Sequence, residues 1–181
     1  HPNTLVVTIT QSGETADTLA ALSAQGGAYT LETISPAGEH RCERIHSIKK
    51  VIPYSADLAG LIAAGASPAT KIISFTVTEA GYYLDANNRL DWATFPDLRA
   101  DLETVKAGHA GHTIYGGLVS ILKARMKAGA GPVTLLNCDN LRHNGDRSRS
   151  GLLQYVAALG DTGLAHWVET NTTSPNAMVD R

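Results

Sequence analysis

Three short apolar segments of the chain have the composition of buried β-strands. They cover residues 5–10, 71–77 and 133–138, and each is rich in β-branched or other apolar side chains. Continuous apolar runs of this length are typical of strands that are covered on both faces, as in a parallel sheet. The sequence therefore predicts a parallel sheet with at least these three strands.

Segments with helical periodicity lie between these strands. Over residues 113–127, apolar side chains recur at helical spacing and share one face, at Ile114, Leu118, Ile121, Leu122 and Met126. Shorter helical patterns cover residues 16–25, 57–66, 148–159 and 162–169, whereas residues 85–111 predict only a loop or a short helix. Alternation of strands and helices predicts an α/β fold: a Rossmann-like, doubly wound parallel sheet in a three-layer α/β/α arrangement.

One segment departs from this alternation. Two strand-like runs, residues 29–34 and 41–48, flank a turn that contains Pro36 and Gly38. This pattern predicts a β-hairpin inserted into the α/β framework. The length of 181 residues predicts one Rossmann-like domain over residues 1–181.

Charge and composition exclude several classes of protein. The net charge of −2 and the lack of a Lys/Arg block argue against nucleic acid as a partner. The least charged stretch, residues 51–70, is far less apolar than a membrane-spanning helix, so we expect no membrane partner. Two cysteines are too few for a disulfide framework and indicate a reduced, cytoplasmic protein. Seven histidines form no set with metal-ligand spacing, so no metal is predicted.

Polar residues follow each predicted strand, where ligands bind in doubly wound sheets. After the first strand, residues 10–15 combine hydroxyl groups with a helix start, which suits a phosphate; the alternative is that Ser12 or Thr15 only caps the helix. Thr78 and Glu79 follow the second strand and mark either a cleft or a solvated strand end. After the third strand, residues 138–145 are densely polar, and an amide there can stabilise an alkoxide. The Asn144–Gly145 pair is also compatible with a simple turn.

Four segments carry a resemblance to a known family. They are Ala24–Thr33 (AQGGAYTLET), Ser74–Tyr83 (SFTVTEAGYY), Leu136–Gly145 (LNCDNLRHNG) and Thr173–Arg181 (TSPNAMVDR). From about residue 19 to residue 181 the chain resembles the polyol-specific long-chain dehydrogenases, and it is nearer the D-arabinitol than the mannitol branch. The resemblance implies metal-independent hydride transfer between a small polyol and NAD on a Rossmann-type domain. It places Asn140 in the oxyanion-binding set, Asp180 near the substrate hydroxyls, and Thr78 and Glu79 beside the nicotinamide.

The chain also departs from that family. A Gly-x-Gly-x-x-Gly turn after a strand is absent. The helical domain that holds the family's catalytic lysine, asparagine and histidine should follow Arg181. We therefore expect a fragment of the parent enzyme that has weakened coenzyme binding and no turnover by itself. Whether the isolated chain is an enzyme stays open, as do the identity of the polyol and the choice between NAD and NADP.

A second resemblance covers the start of the chain. The run Asn3–Leu19 (NTLVVTITQSGETADTL) resembles the sugar-phosphate isomerase (SIS) domain of glucosamine–fructose-6-phosphate aminotransferase. It implies a phosphate site made by Thr10, Gln11, Ser12 and Thr15, with a sugar phosphate as the partner. An engineered chimera of an SIS-derived segment (residues 1–22) and a dehydrogenase fragment (residues 23–181) would explain both resemblances. The alternatives are an unusual natural family member, a sugar-phosphate-binding module and a scaffold without a ligand.

Overall fold

A computed structural model of the protein describes residues 5–9, 24–52 and 55–177. The chain divides into two compact units, one made of residues 1–10 and 54–181 and the other of residues 11–53. The described strands are β1 (Leu5–Ile9), β2 (Tyr29–Ile34), β3 (His40–Ile45), β4 (Thr70–Phe75), β5 (Val133–Asn137) and β6 (Thr172–Thr173). The described helices are α1 (Ala59–Ala66), α2 (Pro96–Lys106), α3 (Ile114–Lys127), α4 (Asn144–Leu159) and α5 (Thr162–Asn171), with a 3₁₀ helix at Glu79–Tyr82.

A four-stranded parallel sheet organises the larger unit. Its strand order is β1-β4-β5-β6, and each neighbouring pair is parallel. Ile9 pairs with Phe75, and Phe75 pairs with Asn137, so β1, β4 and β5 all end at the same level. The α/β fold with a Rossmann-type parallel sheet that the sequence predicted is confirmed.

Helix α3 lies at the centre of the helical layer. It contacts α1, α2, α4 and α5, and its residues Leu118, Val119, Ile121 and Leu122 are completely buried. The connections from β1 to β4, β5 and β6 all step in one direction across the sheet, and right-handed crossovers of this kind place their helices on one face. The sheet and these helices therefore enclose one hydrophobic core.

The two faces of β5 differ in burial. In β5, Val133, Leu135 and Asn137 are buried, whereas Thr134 and Leu136 between them are only partly buried. The predicted strand is confirmed at β5, with one face more deeply buried than the other. The predicted helix at residues 16–25 falls almost entirely outside the described residues, so the three-layer arrangement stays a prediction on the other face of the sheet.

The predicted hairpin is confirmed in the smaller unit. Strands β2 and β3 are antiparallel, with Tyr29 opposite Ile45 and Ile34 opposite His40. The second strand ends at Ile45, three residues earlier than predicted. Gly27 precedes the hairpin with a φ of +81°, and a Cβ at this position would collide with the carbonyl oxygen of Ile48. A glycine is therefore required at residue 27.

Three further boundaries differ from the sequence prediction. Residues 85–111 contain the 11-residue helix α2, which begins at Pro96 and buries Leu98, Leu102 and Val105 at helical spacing. Helix α4 begins at Asn144, four residues before the predicted start. No strand was predicted at residues 172–173, where Thr172 and Thr173 pair with β5 and form β6.

A buried arginine stabilises the end of the sheet at which β4 and β5 begin, opposite the strand ends at Phe75 and Asn137. The Arg125 side chain, on α3, is completely buried. Its guanidinium donates to the carbonyl oxygens of Gly65, Ser67, Ala130, Gly131 and Pro132, at 2.8–3.2 Å. These carbonyls lie just before β4 and just before β5, so one side chain holds both strand entrances. Burial lowers the pKa of Arg125, but a guanidinium remains protonated under all conditions in which proteins fold.

Replacing Arg125 is expected to destabilise the fold strongly. The substitution Arg125→Met keeps much of the volume but removes the guanidinium from five carbonyl oxygens, of which that of Ser67 keeps the Thr70 N–H as a donor. We expect a loss of about 3 kcal/mol in the free energy of unfolding by urea. The matched control is Arg99→Met, at an exposed position of α2, with an expected change within about 0.5 kcal/mol. Equal effects of the two substitutions would contradict this assignment.

Candidate functional site

The ends of β4 and β5 form the edge at which a ligand is expected. The strands end at Phe75 and Asn137, and the Cys138 N–H donates to the Phe75 carbonyl oxygen at 2.8 Å immediately beyond them. The segments that leave this carboxyl edge are residues 76–79, 138–140 and, after β6, 174–177. In open parallel sheets, ligands bind outside the carboxyl ends of the strands.

The described candidate residues are exposed at this edge. Thr78 lies immediately before the 3₁₀ helix, Glu79 is its first residue, and Asn140 follows β5 by three residues. All three side chains are accessible to solvent. Thr10, Gln11, Ser12, Thr15 and Asp180 lie outside the described residues, so their roles in phosphate and substrate binding stay predictions.

Two clefts open beside the segment that follows β5. The first has a volume of about 330 Å³ and is lined by Glu79, Tyr82, Asp85, Asn88, Leu141 and Arg147, among others. The second, of about 340 Å³, is lined by Leu141, Arg142, His143, Asn144 and Asn176. Leu141 lines both clefts. The first cleft combines two carboxylates, an amide and a guanidinium, a set that can donate to and accept from hydroxyl groups.

A buried chain of hydrogen bonds stabilises the segments at this edge. The Asn137 side-chain amide donates to the Tyr82 hydroxyl at 2.7 Å, and the Tyr82 hydroxyl donates to the Asp139 carboxylate. The other Asp139 oxygen accepts from the Leu141 N–H at 2.9 Å. Burial, and then the Asp139 carboxylate, raise the pKa of Tyr82 far above its usual value, so this hydroxyl remains a donor at neutral pH. The network fixes the backbone on both sides of Asn140.

A second buried group, the Asn144 amide, connects the segments after β5 and β6. Its nitrogen lies within hydrogen-bond distance of the carbonyl oxygens of Asn137, Asp139 and Ala177, and its oxygen accepts from the N–H groups of Gly145 and Ala177. Asn144 and Gly145 therefore begin helix α4 and do not form a simple turn.

Sequence reasoning found the exposed side chains of this edge but missed the buried ones. Tyr82, Asn137 and Asn144 all lie in segments that carry the family resemblance, yet none was assigned a role. An amide at the last position of an apolar strand is a usable signal, because a buried amide requires several hydrogen-bond partners. Its partners come from distant parts of the chain, as with Tyr82 and Asn137, and these could not be read from spacing.

The described residues contain no cluster of three or more metal-ligating side chains. Within the same residues, no helix has the length and apolar character needed to cross a membrane.

The parallel sheet with its polar carboxyl edge defines a Rossmann-type domain with a candidate ligand site at the strand ends. The family model "Mannitol dehydrogenase Rossmann domain" matches residues 3–181, and the chain belongs to this family. The resemblance to polyol dehydrogenases is thereby confirmed. The match includes residues 3–19, and the comparisons do not show the SIS graft that the sequence suggested.

The chain is similar to several characterised polyol dehydrogenases. It is 55% identical over 164 residues to D-arabinitol 4-dehydrogenase of Ralstonia nicotianae, covering 91% of this chain and 34% of that protein. It is 40% identical over 163 residues to mannitol 2-dehydrogenase of Cereibacter sphaeroides, covering 89% and 32%. The solved structure of Pseudomonas fluorescens mannitol 2-dehydrogenase, a ternary complex with NAD and D-mannitol, aligns with a TM-score of 0.75 and 30% identity, covering 91% and 33%. The chain thus spans about a third of the length of these relatives.

Removing the Tyr82 hydroxyl is expected to weaken the edge. Tyr82→Phe deprives Asp139 of a buried donor and Asn137 of an acceptor, and we expect a loss of about 2 kcal/mol in the free energy of unfolding by urea. Tyr83→Phe is the matched control, because the Tyr83 hydroxyl donates to Asp97 near the surface, at 2.9 Å. The control should lose about 0.5 kcal/mol. A Tyr82→Phe loss no larger than that of the control would show that the network contributes nothing.

The tyrosines also make the free energy of unfolding depend on pH in the alkaline range. Burial, followed by the Asp97 hydrogen bond, raises the pKa of Tyr83 from 10.0 to about 12, and burial likewise raises the pKa values of Tyr82, Tyr115 and Tyr155. The fold therefore favours the protonated hydroxyls. The protonated hydroxyls contribute fully to stability below the unfolded pKa of 10.0. This contribution to stability is lost as the pH rises from there through the pKa values of the folded chain.

We therefore expect the free energy of unfolding to fall progressively above about pH 10. Phenolate absorbance of the folded chain should also rise less than that of the urea-unfolded chain at the same pH. Identical titration curves for the folded and unfolded chains would rule out the raised pKa values.

Proposed function

We propose that this chain binds NAD at the carboxyl edge of its sheet and forms the coenzyme-binding part of an enzyme that transfers hydride between a small polyol and NAD. The observation that carries the proposal is that the segments after β4, β5 and β6 converge on one polar edge in a Rossmann domain of the mannitol dehydrogenase family. The identity of 55% with a D-arabinitol 4-dehydrogenase supports a polyol as the substrate.

The residues at the edge fit the nicotinamide end of the coenzyme. Thr78 offers an exposed hydroxyl, and Glu79 lines the cleft of about 330 Å³. Ribose and amide groups both donate and accept hydrogen bonds, and a hydroxyl beside a carboxylate can satisfy both requirements. Bound NAD supplies the hydride acceptor. We assign Thr78 and Glu79 to the border of the nicotinamide.

Asn140 is assigned to the oxygen of the reacting alcohol. Its side chain is exposed at the edge, while Asp139 directly before it is anchored by Tyr82. An amide N–H on this anchored backbone can donate to the oxygen as it becomes an alkoxide, which stabilises the charge that develops there. Asp180 is assigned to other hydroxyl groups of the polyol, for which a carboxylate is a strong acceptor.

A cytoplasmic location completes the proposal. Both cysteines, exposed Cys42 and partly buried Cys138, are free, as expected in a reducing compartment. The net charge of −2 supports a small molecule, and not nucleic acid, as the partner.

Calorimetric titration with NADH tests the proposal. We expect binding with a dissociation constant of about 100 μM or lower, equivalent to roughly 5 kcal/mol or more. Glu79→Ala should weaken binding at least about fivefold, since a group at the nicotinamide border is lost. Glu103→Ala, which removes an exposed carboxylate of α2 paired with Lys106, is the matched control and should leave the affinity unchanged. Absence of binding heat at two temperatures would overturn the proposal.

A further inference from the structure

The Asn144 side chain uses nearly all of its hydrogen-bonding capacity on two separate segments. It is 1% exposed. Its nitrogen lies 3.0 Å from the Asn137 carbonyl oxygen, 3.1 Å from that of Asp139 and 2.5 Å from that of Ala177. Its oxygen accepts from the Gly145 N–H at 2.8 Å and from the Ala177 N–H at 2.9 Å. One rigid amide therefore bridges the segment after β5 and the segment after β6.

This arrangement is not an ordinary helix cap. The residue that precedes α4 is His143, whose side chain makes no capping hydrogen bond. Of the five contacts of the Asn144 amide, only the one with Gly145 lies within the helix, and the other four reach residues outside it. A cap would instead satisfy the free N–H groups of the first helical turn.

The residues that follow Asn144 also allow the segment after β6 to lie close to the start of α4. A Cβ at position 145 would collide with the carbonyl oxygens of Ser174 and Pro175, so Gly145 allows the segment after β6 to lie directly against the start of α4. Asp146 and Asn176 add a second connection. The Asp146 N–H donates to the Asn176 side-chain oxygen at 3.0 Å, and the Asn176 amide donates to the Asp146 carboxylate at 2.8 Å.

We propose that Asn144 is a positioning residue, which sets the separation between the segments after β5 and β6 and thereby holds the nicotinamide end of the coenzyme site in shape. We call the Asn144 hydrogen bonds to the two segments the Asn144 clamp. Leu141, in the segment after β5, donates to Asp139 and lines the cleft of about 330 Å³ together with Glu79, so the clamp acts on a segment that faces the assigned nicotinamide border. The inference rests on the proposed function, because it concerns the same site. It assigns Asn144 no contact with the ligand.

The test compares NADH with ADP-ribose, which retains the adenosine, both phosphates and the second ribose but lacks the nicotinamide. Asn144→Ala should raise the dissociation constant for NADH at least about fivefold and change that for ADP-ribose less than about twofold. NADH is followed by its fluorescence, and ADP-ribose by its displacement of NADH and by calorimetry. Titrations are made well below the unfolding temperature of each variant.

Two variants serve as controls. Asn171→Ala removes an amide that donates to Trp167 and Thr170 within the last turn of α5, away from the coenzyme edge. Val156→Ala creates a cavity at a completely buried position of α4. It therefore lowers the stability, as Asn144→Ala is expected to do, but leaves the hydrogen bonds of Asn144 in place. Both should bind NADH and ADP-ribose as the unaltered chain does. A parallel loss for both ligands in Asn144→Ala, no loss for NADH, or a NADH-selective loss in Val156→Ala would overturn the proposal.

Hydrogen exchange separates failure of the clamp from failure of the proposed function. In Asn144→Ala, the peptides covering residues 138–143 and 174–177 should both exchange faster, whereas those of α3 remain unchanged; in Asn171→Ala neither segment should change. If the unaltered chain binds neither NADH nor ADP-ribose, the proposed function fails, and the exchange result alone decides whether Asn144 holds the two segments together. Faster exchange in only one of the segments, or in neither, would overturn the clamp.

Discussion

The structure of this site depends on one constraint: backbone groups that leave a parallel sheet together must find hydrogen-bond partners while they are buried. At the carboxyl edge, the side chains of Asn137, Asp139 and Asn144 provide these partners, Tyr82 connects the first two, and all four residues are at least nine-tenths buried. A buried polar group without a partner costs about 1–3 kcal/mol, so such a network is stable only when its members are satisfied together. The exposed side chains, such as Asn140, are presented by a backbone that this network already holds.

The two ends of the sheet solve the same problem with different chemistry. At the strand entrances, Arg125 satisfies carbonyl oxygens from two segments with a permanently charged group. At the strand exits, neutral amides and a tyrosine hydroxyl predominate. A fixed guanidinium suits an end with no assigned chemistry, whereas a network with Asp139 as its one carboxylate adds little charge beside the proposed positions of the nicotinamide and the reacting alcohol. Helix α3 joins the two ends mechanically, because it carries Arg125 and packs against α4, which begins at Asn144.

Most elements of the fold could be predicted because their signals are local. Each signal is formed by residues that are close together in sequence: the helical periodicity of α3, the apolar runs of β4 and β5, and the Pro/Gly turn of the hairpin. The prediction was weaker for elements whose formation depends on tertiary contacts. Helix α2 lies in a polar stretch, and its apolar stripe is buried only because α3 and α4 cover it. The pairing of Thr172 and Thr173 with β5 likewise requires a neighbouring strand that local sequence does not reveal.

The sequence by itself determined the α/β class, the family and the exposed polar residues at the strand ends, because composition, periodicity and motif spacing are all recorded along the chain. Only the tertiary structure decided which buried groups hold that edge. Tyr82 meets Asp139 across 57 positions of sequence, and Asn144 meets Ala177 across 33. Hydrogen bonds between such distant residues depend on strand order and register, which bring the ends of the strands to one edge.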